Sequence, residues 1–297
     1  MKEEPGNRIV DLINFFAAHP TESFTLSEVV DHLSLSLGSA HRVLKTLTDA
    51  RYLSRHPKHK TYSLGLALVA IGQAALERHP AVPLARAEMA QLTAELGLQC
   101  VATAVVDDEL LSLAKTGNPP ADQGIRRVGE RRPFIPPLGL GHIAWSRPEL
   151  IDAYLARGAG HGDEQLRAFM LSALEVIRKR GYAMAANGPA VKSVWQVIWE
   201  HAANFRDESY WAQMRSLLGE LSRDELQLLT LEHIGPVRLA YLSAPVFSPA
   251  GEVVLSISMS GFADDLDAAA VSRYVERLRT AAANVTSETH GRVPRII

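Results

Sequence analysis

A chain of 297 residues with 47% hydrophobic and 22% charged side chains is long for one domain, comfortable for two, and ordinary for a globular protein. Its net charge of −2 excludes a uniformly basic nucleic-acid binder, and one cysteine, Cys100, leaves no internal disulfide and suits a reducing compartment. No apolar run approaches the ~20 residues that span a bilayer, and MKEEPGNRIV has no apolar leader core, so a soluble, cytoplasmic protein with no membrane partner is expected.

In chain order, Asn7 is placed to cap a first helix over Arg8–Ala18, with Ile9, Leu12, Ile13 and Phe16 on one side and His19-Pro20 as its stop. Thr25 and Glu28 have the spacing of a capping box before a second helix, whose apolar face is Val29, Val30 and Leu33. After a tight connection at Leu35–Ser36, Ser36 can cap a third helix with the inward stripe Ala40, Val43, Leu44 and Leu47. Its outer face holds Ser39, His41, Arg42, Lys45 and Thr46. Tyr52–Arg55 and Thr61–Leu64 then flank HPKHK as a basic hairpin, or wing. This order describes a winged helix-turn-helix that reads double-stranded DNA; the plainer alternative is a solvated basic helix-hairpin that only packs. Charge separates the two locally. From Ser36 to Tyr62 six basic residues (Arg42, Lys45, Arg51, Arg55, Lys58, Lys60) face one acid, Asp49, whereas Met1–Leu35 carries two basic residues against six acids. The positive field lies where phosphates would run if the third helix entered a major groove.

Gly65–Arg78 is a helix apolar most of the way round, which asks for a covering surface such as a second domain or a sister chain. Pro80 and Pro83 follow it, and the domain boundary is expected near His79–Val82, giving residues 1–79 and 80–297. The second domain alternates helices and strands: a helix over Val82–Leu96 stopped by Gly97, strands at Gln99–Val106 and Leu110–Lys115, and a short strand at Ile125–Val128. A loop containing Pro119-Pro120 precedes that short strand; the Gly/Pro-rich loop Gly129–Gly141 follows it and leads into a helix from His142. Glu164–Arg180 is an amphipathic helix ended by Gly181, and Tyr182–Ala186 is extended. Arg238–Phe247 and Glu252–Phe262 form a hairpin about Ser248–Gly251, and Asp264–Thr289 is a closing helix with Asp264-Asp265 near its start. The pattern is a mixed sheet flanked by helices, α+β or α/β.

Several segments resemble IclR-type transcriptional regulators in order and spacing: R-I-V-D-L-I at Arg8–Ile13, T-L-S-E-V-V from Thr25, H-R-V-L-K-T-L at His41–Leu47, Y-L-S-R from Tyr52 and Y-S-L-G at Tyr62–Gly65. The likeness continues through Arg127–Pro133, Gly139–His142, Arg180–Ala183, Ser243–Phe247 and Ser258–Gly261. It implies a winged helix-turn-helix joined by a linker helix to a GAF/PAS-like ligand-binding domain, binding a palindromic operator as a homodimer or homotetramer and sensing an organic or aromatic acid of a catabolic operon. The family's Lys and Ser/Thr at the start of the reading helix are Leu37 and Gly38 here. The candidate DNA contacts are therefore Ser36, Ser39, His41, Arg42 and Lys45, with Arg55, Lys58 and Lys60 on the wing. Between Asn187 and Gly235 the chain is longer than the family pattern, with a helical, aromatic insert (Trp195, Trp199, Phe205, Tyr210, Trp211) that caps the pocket, makes an oligomer contact or packs on the core.

Along Val253–Ser260, Val253, Leu255, Ile257 and Met259 fall on one strand face and Val254, Ser256, Ser258 and Ser260 on the other. That serine row is either a solvated face or the lining of a cavity. By resemblance Ser258 and Ser260 line the effector pocket, joined by Leu239, by Tyr241 in place of the family's Cys, and by Gly139, Leu140 and His142, the last in place of Lys. His142 could titrate near neutrality or hold an anion, or be structural. Arg131 and Arg132 could clamp a carboxylate or be solvated loop charges. No cofactor, metal set or catalytic motif is found: His56 and His59 have no partners at zinc spacing. A regulator with a collapsed pocket acting constitutively or through protein partners, and an enzyme built on the sensor domain, are the rival readings.

Overall fold

The computed structural model describes residues 5–119, 124–158, 164–200, 208–230, 238–264 and 266–294. Pro120, Phe205 and Asp265 lie outside them, as do positions 201–207 and 231–235 of the insert. The chain divides into two compact units, Met1–His79 and Pro80–Ile297.

In the first unit, α1 runs Pro5–Ala18, so Asn7 sits inside its first turn rather than capping it. Proline is favoured at that position because its missing N–H would have had no helical acceptor. α2 (Leu26–Leu33) has both halves of the capping box: Thr25 N–H donates to Glu28 Oε2 at 2.6 Å and Glu28 N–H donates to Thr25 Oγ1 at 3.3 Å. Those bonds hold the Glu28 carboxyl below its ordinary value. Ser34, left-handed at φ 50°, ends α2 by donating its N–H to Val30 O. α3 (Leu37–Asp49) starts on Ser36 as N-cap, and β1 (Leu53–Arg55) pairs antiparallel with β2 (Tyr62–Leu64) as the wing. Leu12, Phe16, Val29, Leu44 and Leu53 close the core between α1, α2, α3 and the wing. α4 (Ala67–Arg78) has no buried residue within the described chain.

The wing meets α4 at Gly65, whose N–H donates to Tyr52 O at 2.7 Å. A Cβ at Gly65 would stand 2.2 Å from Arg51 O, so the two backbones can approach only there without a side chain. Gly65→Ala is expected to cost about 1–3 kcal/mol, as overpacking does, read as a lower urea midpoint for the first unit.

The second unit opens with α5 (Ala81–Leu96), ended by Gly97 at φ 69°. Six strands follow: β3 (Gln99–Val106), β4 (Glu109–Thr116), β5 (Arg131–Pro133), β6 (Ala183–Ala186), β7 (Leu239–Phe247) and β8 (Val253–Ser260). Their order is β5-β4-β3-β8-β7-β6, and every pairing is antiparallel, which makes the unit α+β. One face packs on α5 and α12 (Ala268–Glu288) through Met89, Leu92, Leu255, Ile257, Val271 and Leu278. Toward the other face pack α6 (Leu140–Ile143), α7 (Pro148–Leu155) and α8 (Glu164–Arg180), sharing Leu110, Leu140, Tyr154 and Leu174. The insert folds into α9 (Pro189–Glu200), α10 (Glu208–Gly219) and α11 (Arg223–Leu226); α9 and α10 pack together around Val194, Ile198, Tyr210 and Met214 with Ile135.

Two sequence expectations change. Ile125–Val128 is not a strand: the Gln99 side chain takes the place of a strand partner, its Nε2 donating to Ile125 O at 2.7 Å and its Oε1 accepting Ile125 N–H at 3.2 Å. The sheet edge is instead β5, inside the expected loop. The N-cap of α12 is Asp267, accepting Ala270 N–H at 2.7 Å, while Asp264 meets Arg238 at 3.4 Å on the surface.

Candidate functional site

Two regions carry chemistry, one in each unit. On the reader, Ser36 Oγ accepts Ser39 N–H as the cap of α3, and Ser39 Oγ accepts a 2.6 Å hydrogen bond from Arg8 Nη1. Both hydroxyls are thus engaged inside the unit. His41, Arg42, Lys45, Arg55, Lys58 and Lys60 are exposed. Lys45 meets Asp49 at 2.6 Å with both side chains about two-thirds exposed, a pair of the kind worth ~0.3–0.5 kcal/mol and easily exchanged for another anion. Arg55 lies 5.5 Å over the Tyr62 ring, which steadies the wing's first strand. His56 Nδ1 accepts the N–H groups of Lys58 and His59, so that ring holds the wing turn. Leu37, 60% exposed, and Gly38, with open space beside its Cα, leave the first two positions of α3 bare of polar side chains.

In the second unit a cavity of about 130 Å³ lies between the sheet and the insert helices. Its floor includes Thr103, Tyr241, Ser243, Ser258 and Ser260; its roof includes Val191, Trp195, Ile198, Leu218 and Leu221 of α9, α10 and the α10–α11 connection. The insert therefore covers the pocket, one of the three roles open to it. Gly139, Leu140 and His142 line the cavity at the start of α6. Gly139 holds φ 92°, and a Cβ there would meet the Phe134 ring at 2.5 Å, so glycine is required for the chain to turn over the sheet. Tyr154 donates its hydroxyl to Leu138 O at 2.9 Å, pinning the same turn.

Two expected pocket residues lie elsewhere. Leu239 is buried in the core on α5 and α12, because β7 bulges: Ala185 is opposite Tyr241 but Ala186 is opposite Leu239. The unpaired Ala240 lines the cavity instead, and Leu239 is turned to the other face. Ser256 is fully buried with an unpartnered Oγ, but it sits beyond the cavity's end, opposite Pro245 and Thr103.

The lining is already hydrogen-bonded in part. Ser258 Oγ donates to Ser243 Oγ at 2.9 Å, and Ser260 Oγ donates to Gln99 Oε1 at 3.1 Å. His142 Nε2 lies 3.0 Å from Thr103 O, so that nitrogen carries the proton as donor. Burial drives its pKa from 6.5 down to about 4, with the Thr103 carbonyl opposing, so His142 is neutral rather than titrating near neutrality. Burial lifts the Tyr241 phenol to about 12 and the Cys100 thiol to about 11, which leaves Cys100 an inert strand residue. Glu225 lines the roof with Oε2 accepting Ser222 N–H at 2.9 Å and Oε1 unpartnered. Arg131 meets Glu109 at 2.6 Å, whereas Arg132 turns into the cavity; periodicity alone did not separate the two. The separating signal is strand alternation in β5, which the Gly/Pro-rich composition of Gly129–Gly141 masks. Among the described residues no cluster of His, Cys, Asp or Glu could hold a metal ion.

Residues 7–57 match the profile of the IclR helix-turn-helix domain. The HTH-type transcriptional regulator XynR of Escherichia coli (strain K12) is 25% identical over 202 residues, 65% of this chain and 79% of that protein. Residues 7–57 thus carry an IclR-type helix-turn-helix domain, and the chain is similar to IclR-type transcriptional regulators. Solved structures share the fold at low identity: an IclR transcriptional regulator from Alicyclobacillus acidocaldarius has TM-score 0.63 and 21% identity, covering 97% of this chain and 100% of that one. An IclR homolog from Microbacterium hydrocarbonoxydans, solved with 4-hydroxybenzoate, has TM-score 0.63 and 18% identity, covering 96% and 99%. No described helix is long and apolar enough to cross a membrane.

The buried imidazole has a measurable consequence. Between about pH 6.5 and about 4 the unfolded chain takes up a proton at His142 that the folded chain refuses. Its contribution is therefore full above about pH 6.5 and declines by ~3 kcal/mol as pH falls toward 4. His142→Gln should flatten that decline in thermal melts, leaving a smaller difference between neutral and acid pH than in the parent.

Proposed function

We propose that this regulator recognises a palindromic operator in cytoplasmic DNA as a homodimer or homotetramer, with α3 in a major groove and the wing over the adjacent backbone. The observation that carries the reading is the concentration of exposed positive charge on these two elements: Arg42 and Lys45 on α3 and Arg55, Lys58 and Lys60 on the wing are all open to solvent. Cations so placed neutralise phosphates and release counterions, while Arg42 and His41 have the reach to test base edges. Ser36 and Ser39 contribute by aiming the helix. Self-association is supported by α4 and the residue before it, which leave Leu66, Val69 and Ile71 exposed by 85%, 67% and 47%.

The cavity is read as an effector site for a small organic or aromatic acid of a catabolic pathway, contacted by Gly139, Leu140, His142, Tyr241, Ser258 and Ser260. Support comes from its apolar roof over a hydroxyl-rich floor and from the fold it shares with the 4-hydroxybenzoate complex. A space of about 130 Å³ argues against a collapsed pocket. The reading gives the cavity no catalytic role, since His142 Nε2 is spent on the Thr103 carbonyl and Ser258 donates to Ser243. Effector acts only as far as it prefers one of the DNA-competent and incompetent arrangements.

Fluorescence anisotropy on DNA flanking the gene tests the reader. Arg42→Ala should weaken operator binding by at least ~1 kcal/mol, and Lys58→Ala should weaken operator and random DNA equally while shallowing the salt slope. Unchanged operator affinity in Arg42→Ala would sink the groove placement.

A further inference from the structure

We propose that the Arg132 guanidinium anchors the carboxylate of the cavity's ligand, and that the ligand is a monocarboxylate whose body is one small ring or a short branched chain lying against Trp195. The inference rests on the effector reading above and adds the group that would recognise the acid.

The placement follows from β5. Leu111 pairs with Arg131 and Leu110 with Arg132, so successive side chains leave the strand on opposite faces. Arg131 meets Glu109, while Arg132 shares the face of Leu110, which lines the cavity. Among the described residues Arg132 makes no hydrogen bond and no ion pair, and its Nε is enclosed without a partner. Its guanidinium lies 5.6 Å from the centroid of the Trp195 ring, which covers it without giving it an acceptor. Glu130 is the acid that acts on it most, but it makes no ion pair with Arg132, and its Oε2 accepts Arg126 N–H. Removed from water and lacking a contacting anion, the guanidinium is the cavity's unmet demand.

A carboxylate meets that demand with two parallel N–H···O bonds. The Tyr241 hydroxyl, which makes no hydrogen bond among the described residues and is electrostatically coupled to Arg132, is placed to add a third. The rest of the ligand is limited by space and walls. A cavity of ~150 Å³ takes a benzene ring, and about 130 Å³ roofed by Val191, Trp195 and Ile198 suits a body of that size or smaller. An inorganic anion would satisfy Arg132 and leave those walls unfilled.

The test uses thermal melts and titrations of the full chain with benzoate, isobutyrate, the amide of each, and sulfate. The acids should raise the Tm, and the amides and sulfate should not. Arg132→Met should weaken acid binding at least ~10-fold, yet leave the unliganded Tm equal or higher, because it removes a charge that has no partner in the empty cavity. Arg132→Lys should retain part of the binding, as a charge without the fork. If the acids stabilise Arg132→Met as they do the parent, the anchor is overturned while the effector reading stands. A fall in the unliganded Tm of Arg132→Met would assign the residue a structural role and overturn it too. If sulfate matches benzoate, the apolar body is wrong; if no acid moves the parent protein, the effector class fails and takes the anchor with it.

Discussion

The pairing of β3 with β8, with Cys100 opposite Met259 and Val101 opposite Ser258, gives the larger unit two faces of unlike chemistry. Leu255, Ile257 and Met259 meet the helix layer of α5 and α12, and the intervening Ser258 and Ser260 meet the cavity. A slip of one residue would exchange the two sets and set hydroxyls against Val271 and Leu278. The Gln99 amide depends on the same register, since it bonds both Ser260 and the Ile125 backbone across the sheet. Floor, edge and polar lining of the pocket are thus one consequence of one strand pairing.

The opposite wall is built differently. α9 and α10 bury Val194, Val197, Ile198 and Met214 chiefly against each other, with Ile135 as a contact from the body of the unit. Arg126 supports this roof from below, its guanidinium 3.6 Å over the Trp199 ring while Trp199 Nε1 donates to Gly124 O at 3.2 Å. The cavity therefore has a rigid, strand-bound floor and a roof that is a small helical subassembly with its own core.

Much of the fold was legible because the signals are local. Thr25 and Glu28, Ser36, Gly97 and Gly181 each act within a few residues, and each stands at the helix end where its chemistry indicated. Glu164–Arg180 was readable to its last residue from apolar spacing and the glycine that follows. What escaped depends on contacts distant in sequence. Ile125–Val128 has a strand's composition but loses its partner to the Gln99 side chain, 26 positions away. Ser39 looked free on the outer helix face until α1 brought Arg8 to it. Arg132 looked like a loop charge until β4 supplied the alternation that turned it inward.

The bulge in β7 shows how one residue can reset a strand. Before Ala240 the strand sends Leu239 to the helix layer; after it, Tyr241 and Ser243 face the cavity, and Leu242 and Ala244 return to the core. Ala240 acts as a phase shifter between two otherwise regular stretches. Evolution can therefore retune this pocket by insertion or deletion as well as by substitution. Excising that single codon would leave Leu239 on the helix side and Tyr241 on the ligand side while removing Ala240 from the cavity lining, without altering any other letter of the strand.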